Sequence, residues 1–150
     1  MCNHEGLEGH EGRKGRSVML IRTNPACSPE TERLVTRTIG CALRVHQALG
    51  PGYTEALYHD AMAIDLELDG LRFEREVTLR VMYRNRPLRP QRLDLVVENE
   101  VVVELKAVER LDRIHQAQLL SYLKAGGFKV GLLMNFHSEF LKTSLRRFVL

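Results

Sequence analysis

The stretch from Arg92 to Lys106, RLDLVVENEVVVELK, holds acids at positions 94 and 104 and an amine at 106 in otherwise apolar chain. If Glu98, Asn99 and Glu100 form a hairpin loop, Val97 pairs with Val101, and Asp94 falls directly opposite Glu104. Side chains alternate along a strand, so Lys106 shares the face of Glu104. Facing carboxylates with Cβ atoms about 4.5–5.5 Å apart repel and need a cation beside them. Lys106 supplies part of that charge. A hard divalent ion, which prefers carboxylate and carbonyl oxygens, can supply the rest. A metal so held polarises a phosphodiester oxygen and lowers the pKa of a bound water, while a lysine orients that water or stabilises a charged transition state. The bland alternative is a solvated hairpin face. A two-residue loop would set Asp94 opposite Leu105 and part the carboxylates.

The elements that must position this hairpin are legible in the periodicity. Leu34, Thr38, Cys41, Val45 and Ala48 recur at helical spacing from Thr31 until Gly50-Pro51-Gly52. A second helix is expected from Thr54 to Asp69, with Thr54 as N-cap and Gly70 as left-handed terminator. The period then becomes two at Val77, Leu79 and Val81, predicting a strand. A turn at Arg84-Asn85-Arg86-Pro87 leads to strands at 92–97 and 101–107. Leu93, Leu95 and Val97 against Val101, Val103 and Leu105 predict one apolar face, leaving the acids and Lys106 on a wet one. A helix over 112–125 ends at Gly126-Gly127. The nearly all-apolar run 129–135 predicts a strand buried on both faces, and 145–150 a further edge strand. The order α-α-β-β-β-α-β predicts one α/β domain over residues 31–150. Residues 1–30, rich in glycine and mixed charge, predict a poorly ordered arm. Its Cys2, His4 and His10 fit no standard zinc spacing.

Asp94, nine residues, then Glu104-Leu105-Lys106 resembles the D-x(n)-E-x-K signature of the PD-(D/E)XK nuclease superfamily. Gly52-Tyr53-Thr54-Glu55-Ala56-Leu57-Tyr58 is similar to the motif that names its GxxExxY family. Val45–Gly52, Val103–Val108 and His115–Leu123 extend the likeness over roughly residues 31–150. The resemblance implies a restriction-endonuclease-like core: a mixed sheet of about four strands flanked by helices. It implies a nuclease hydrolysing phosphodiester bonds of nucleic acid, DNA rather than RNA, with Mg²⁺ or Mn²⁺. Asp94, Glu104, the Leu105 carbonyl and Glu55 would hold the metal, Lys106 would serve catalysis, and Gln118 would lie near the lysine or substrate. Each residue also has a plainer reading. Glu55 suits a helix N-terminus electrostatically, Tyr58 suits packing with a tethered hydroxyl, and Gln118 suits a buried amide bonded to backbone. On the same fold a catalytically silent nucleic-acid-binding or protein-interaction module is the alternative.

Partners are weakly constrained by charge. The 150 residues carry 22 basic and 19 acidic side chains, and the excess of +3 permits nucleic acid without demanding it. Arg80, Arg84, Arg86, Arg89 and Arg92, however, fall within an acid-free run leading to Asp94. Arginine forks bind phosphate bidentately, which positions a backbone without reading sequence. A merely solvated basic loop is the alternative. Aromatic residues are sparse and not interleaved with these arginines, so no stacking groove for single strands is expected. No apolar run reaches the ~20 residues of a membrane span. Three irregularly spaced cysteines argue against a disulfide framework and for a reducing cytoplasm. Double-strand cleavage by a single-site protein would call for a homodimer.

Overall fold

The computed structural model describes residues 27–150; Cys2, His4, His10 and most of the expected arm lie outside them. Helix α1 (Pro29–Leu49) begins two residues before the expected Thr31. Ser28 caps it, accepting the Thr31 N–H at 3.1 Å, and Pro29 takes the first-turn position where a missing N–H costs nothing. Helix α2 (Glu55–Leu68) follows Gly50-Pro51-Gly52 and is terminated by Gly70 at φ 74°. Arg37–Asp69 and Arg44–Asp65, 3.0 and 2.8 Å apart, tie the two helices at the surface.

Five strands form a mixed sheet in the order β1 (Phe73–Leu79), β4 (Gln91–Val97), β5 (Val101–Lys106), β6 (Val130–Asn135), β7 (Leu145–Val149). All neighbours are antiparallel except β5 and β6, which are parallel and joined through helix α3 (Arg113–Gly126). Parallel pairing requires such a crossover, and β6 is buried at every residue as its composition predicted. The C-terminal run is the fifth strand. Gly127, left-handed at φ 70°, ends α3 where expected.

The expected register is realised: Val97 pairs with Val101, Val96 with Val102 and Leu95 with Val103. Glu98 and Asn99 turn the hairpin at φ 49° and 57°. Asn tolerates that region; Glu does so less readily. Glu98 is held by a second tie, its carboxylate accepting the Arg72 backbone N–H at 2.8 Å and the Arg72 guanidinium at 3.0 Å. Those bonds, the backbone one foremost, hold its carboxyl below the usual range.

Two expectations about the faces fail. The sheet has no wet face: Leu95, Val97, Val101, Val103 and Leu105 pack under α1 and α2, while Val96, Val102 and Leu133 pack under Leu119, Tyr122 and Leu123 of α3. Glu104 is therefore buried. Leu93 lies with the α3 cluster, not beside Leu95. The alternation breaks at Glu76, whose φ is 51°, where the β1–β4 pairing skips from Arg75–Leu95 to Val77–Leu93. On either side of that point Phe73 packs toward α1 and α2, and Val77 and Leu79 toward α3. The first strand also starts earlier than Val77, and Val81 falls outside it. The expected 84–87 turn is a separate hairpin, β2 (Met82–Tyr83) against β3 (Arg86–Pro87).

Candidate active site

The β4–β5 ladder stops one pair short of the two acids, and side chains take over from backbone. The Asp94 N–H donates to Glu104 Oε1 at 3.2 Å, and the Leu105 N–H donates to Asp94 Oδ2 at 2.8 Å. Each carboxylate thus occupies a position where a strand carbonyl would otherwise accept.

Glu104 is only 5% exposed. Burial, reinforced by the charge of Asp94 and opposed by Lys106, pushes its carboxyl up to about 8. The cause is physical: desolvation and a neighbouring anion both disfavour the charged form of the buried Glu104 carboxyl. Lys106 is half-buried on the same face, and its strand end is fixed on the far side. The Phe136 N–H donates to the Lys106 carbonyl at 2.8 Å, and the side chain of Asn135, its partner in β6, bonds both backbone groups of Val108 at 3.0 and 2.7 Å.

Glu55 opens α2 and leans toward the hairpin. One ligand atom from each of Glu55, His59 and Asp94 lies within 4.8 Å of the others. His59 Nε2 is 3.5 Å from Asp94 Oδ2 and 3.9 Å from Glu55 Oε1. His59 escaped the sequence reading. Its spacing of four from Glu55 signals a shared helix face, but only the packing of α2 against β5 turns that face onto Asp94. Tyr58 points the opposite way. It is fully buried, stacks on Phe136 with ring centroids 4.7 Å apart, and donates its hydroxyl to the Gly50 carbonyl. Gly52, at φ 114°, allows the chain to turn between the two helices where a Cβ would be strained.

Gln118 is exposed, so the buried-amide reading fails. Its Nε2 donates to the Tyr122 hydroxyl at 2.7 Å, which donates to Gln91 Oε1 at 3.3 Å. Burial raises the Tyr122 phenol above its usual range, and the charges of Glu104 and Asp94 add to the rise. Gln118 is therefore linked through Tyr122 to Gln91 at the start of β4. Arg84, Arg86, Arg89 and Arg92 are exposed. Arg92 meets Glu76 at 3.5 Å, whereas the other three have no acidic partner among the described residues. His115 caps α3 by accepting the Asp112 N–H at 3.1 Å, and His46 bonds the Ser138 carbonyl at 2.7 Å. Cys41 is no nucleophile, since burial pushes its thiol up to about 12.

The donor set fits a divalent cation. Asp94 and Glu55 bring carboxylate oxygens of the kind that suit Mg²⁺ or Mn²⁺, and the His59 imidazole beside them favours the softer ion; Glu104 lies outside that three-residue cluster and adjoins it through Asp94. Among the described residues no helix is long and apolar enough to cross a membrane. The family model for the PD-(D/E)XK nuclease superfamily matches residues 32–148. No curated protein and no solved structure matches the chain.

Proposed function

The chain belongs to the PD-(D/E)XK nuclease superfamily, and from that premise we propose that it is a metal-dependent phosphodiesterase acting on nucleic acid, DNA rather than RNA. The observation that supports this most is the interlocked pair Asp94 and Glu104, each carboxylate bonded to backbone of the opposing strand and one of them desolvated. Such a pair is costly without a cation. Asp94, Glu104, Glu55 and the Leu105 carbonyl would hold Mg²⁺ or Mn²⁺. When bound, that ion supplies Lewis-acid stabilisation and a water of lowered pKa.

The chain's own residues do the rest. Lys106 holds the attacking water and balances charge that builds on the phosphoryl oxygens. His59 orients Asp94 from the α2 side. Gln118 and Tyr122 form the polar rim through Gln91. Arg84, Arg86, Arg89 and Arg92 clamp phosphates flanking the scissile bond, without base reading. The Gly52–Tyr58 motif supports the narrower GxxExxY assignment, with Tyr58 fixing the loop from which Glu55 emerges. We place this domain over residues 31–150, after an N-terminal arm and in a reducing cytoplasm. Cleavage of both strands of a duplex would require a homodimer.

The test is a panel of labelled single-stranded, duplex, flap and RNA substrates with Mg²⁺ or Mn²⁺. Wild type should cleave at least one DNA, and Asp94→Asn and Lys106→Ala should not. Activity surviving in both variants would remove the assignment. Binding without cleavage by wild type would make the protein a silent binding module on the same fold.

A further inference from the structure

Leu79 and Gln91 are paired across β1 and β4, so a two-residue turn could have joined these strands. The chain instead makes an eleven-residue excursion between those paired ends. The excursion has its own ladder, pairing Met82 with Pro87 and Tyr83 with Arg86. It turns at Arg84 and Asn85, φ 47° and 62°, and is closed at its base by the Leu88 N–H bonding the Val81 carbonyl at 2.8 Å. It is an ordered hairpin in which every residue but Val81 is exposed.

A segment that meets the core only through Val81 has no folding reason to carry other large apolar side chains. Yet Met82, Tyr83 and Leu88 are 57%, 63% and 52% exposed. They sit among Arg80, Arg84, Arg86 and Arg89, which have no acidic partner among the described residues. Tyr83 and Arg86 are directly opposite on one face, and the Arg84 guanidinium lies 5.9 Å from the Tyr83 ring centre. An open aromatic face beside cations matches stacked bases on a charged backbone. This corrects the expectation that no aromatic is interleaved with the arginines: Tyr83 is.

The hairpin's root lies on the strand that carries Asp94. Gln91, the first residue after it, opens β4 and accepts the Tyr122 hydroxyl at 3.3 Å. From Gln91 to Asp94 is three residues of strand, about 10 Å, roughly three rises of a stacked strand. We propose that the β2–β3 hairpin binds unpaired nucleotides next to the scissile phosphate, stacking a base on Tyr83 while Arg84 and Arg86 take its phosphates. The preferred substrate is then a junction between duplex and single strand. A base inside a continuous duplex has no free face for Tyr83; an unpaired one does. This inference rests on the nuclease reading only for the identity of the neighbouring phosphate.

The test uses the full chain carrying Asp94→Asn, so that binding is read without cleavage. Fluorescence anisotropy compares a blunt DNA duplex with the same duplex bearing an unpaired tail. The tailed DNA should bind about tenfold more tightly, and adding Tyr83→Ala should remove roughly that factor, the scale of one stacked base. Tyr83→Phe should retain it, and the blunt duplex should change less than about twofold. Equal effects of Tyr83→Ala on both DNAs, or none on either, would overturn the proposal. A wild type that cleaves all DNA forms with no tail preference rejects this inference alone. Tail-selective binding by a protein that never cleaves rejects the nuclease reading alone. Binding only to protein or to vesicles, and to neither DNA, rejects the hairpin's assignment outright.

Discussion

Replacing Glu104 by Gln should stabilise the metal-free protein, and by an amount that grows with pH. The side chain is buried and its Oε1 accepts the Asp94 N–H; the glutamine carbonyl can accept that same bond. What disappears is the charge. Burial and the neighbouring Asp94 raise the folded-state carboxyl from 4.5 to about 8. The native state then holds a proton that the unfolded chain has already released. The contribution of the neutral carboxyl is complete below the unfolded value and is lost as pH rises through the folded one. Across that window wild type should lose up to about 1.4 kcal/mol per pH unit relative to Glu104→Gln, hence on the order of 3 kcal/mol between about pH 5 and about pH 7. That is a sizeable part of the roughly 5–15 kcal/mol that holds a domain folded. Lys106 and local relaxation reduce the figure without changing its sign. Urea unfolding of both proteins in chelator at several pH values reads the difference directly. A difference that stays flat, or that favours wild type increasingly at high pH, would refute the reasoning about the pair.

Other outcomes follow from named contacts. Tyr58→Phe removes the hydroxyl bonded to the Gly50 carbonyl and leaves the Phe136 stack; urea unfolding should show a loss of about 1–2 kcal/mol. His59→Ala should leave folding intact while lowering Mn²⁺ affinity and cleavage by about tenfold or more, the scale of an orienting contact to a metal ligand; calorimetry and initial rates would check it. Gly131→Ala would place a Cβ 3.0–3.1 Å from Leu119 side-chain carbons, so the Leu119 side chain must give way inside a packed core, and thermal unfolding should show about 1–3 kcal/mol of destabilisation.

Much of this arrangement is carried by local pattern. The hairpin register follows from side-chain alternation and the Glu98–Glu100 loop, and it brings Asp94 to Glu104 as those residues alone imply. Helix ends at Gly50, Gly70 and Gly127 are written as residue types. What is not written is the kink at Glu76, since nothing about a glutamate in a strand announces a left-handed backbone. Through that kink Leu93 changes sides. Nor does the hairpin reveal that helices cover both faces of the sheet, because cover is a property of the whole sheet; the depth of Glu104 follows from it. His59 is visible as a neighbour of Glu55 on a helix but becomes a neighbour of Asp94 only by packing. The β2–β3 hairpin reads in sequence as a turn with surplus arginines, and Tyr83 gains meaning only once it is seen exposed and flanked.

The interlocked carboxylates should form part of a divalent-cation site. Calorimetric titration of Mn²⁺ into wild type and Glu104→Ala, at a pH above the raised carboxyl value, tests it most directly. Wild type should bind saturably near one ion per chain, and the variant should lose that binding. Equal heats from both proteins would contradict it.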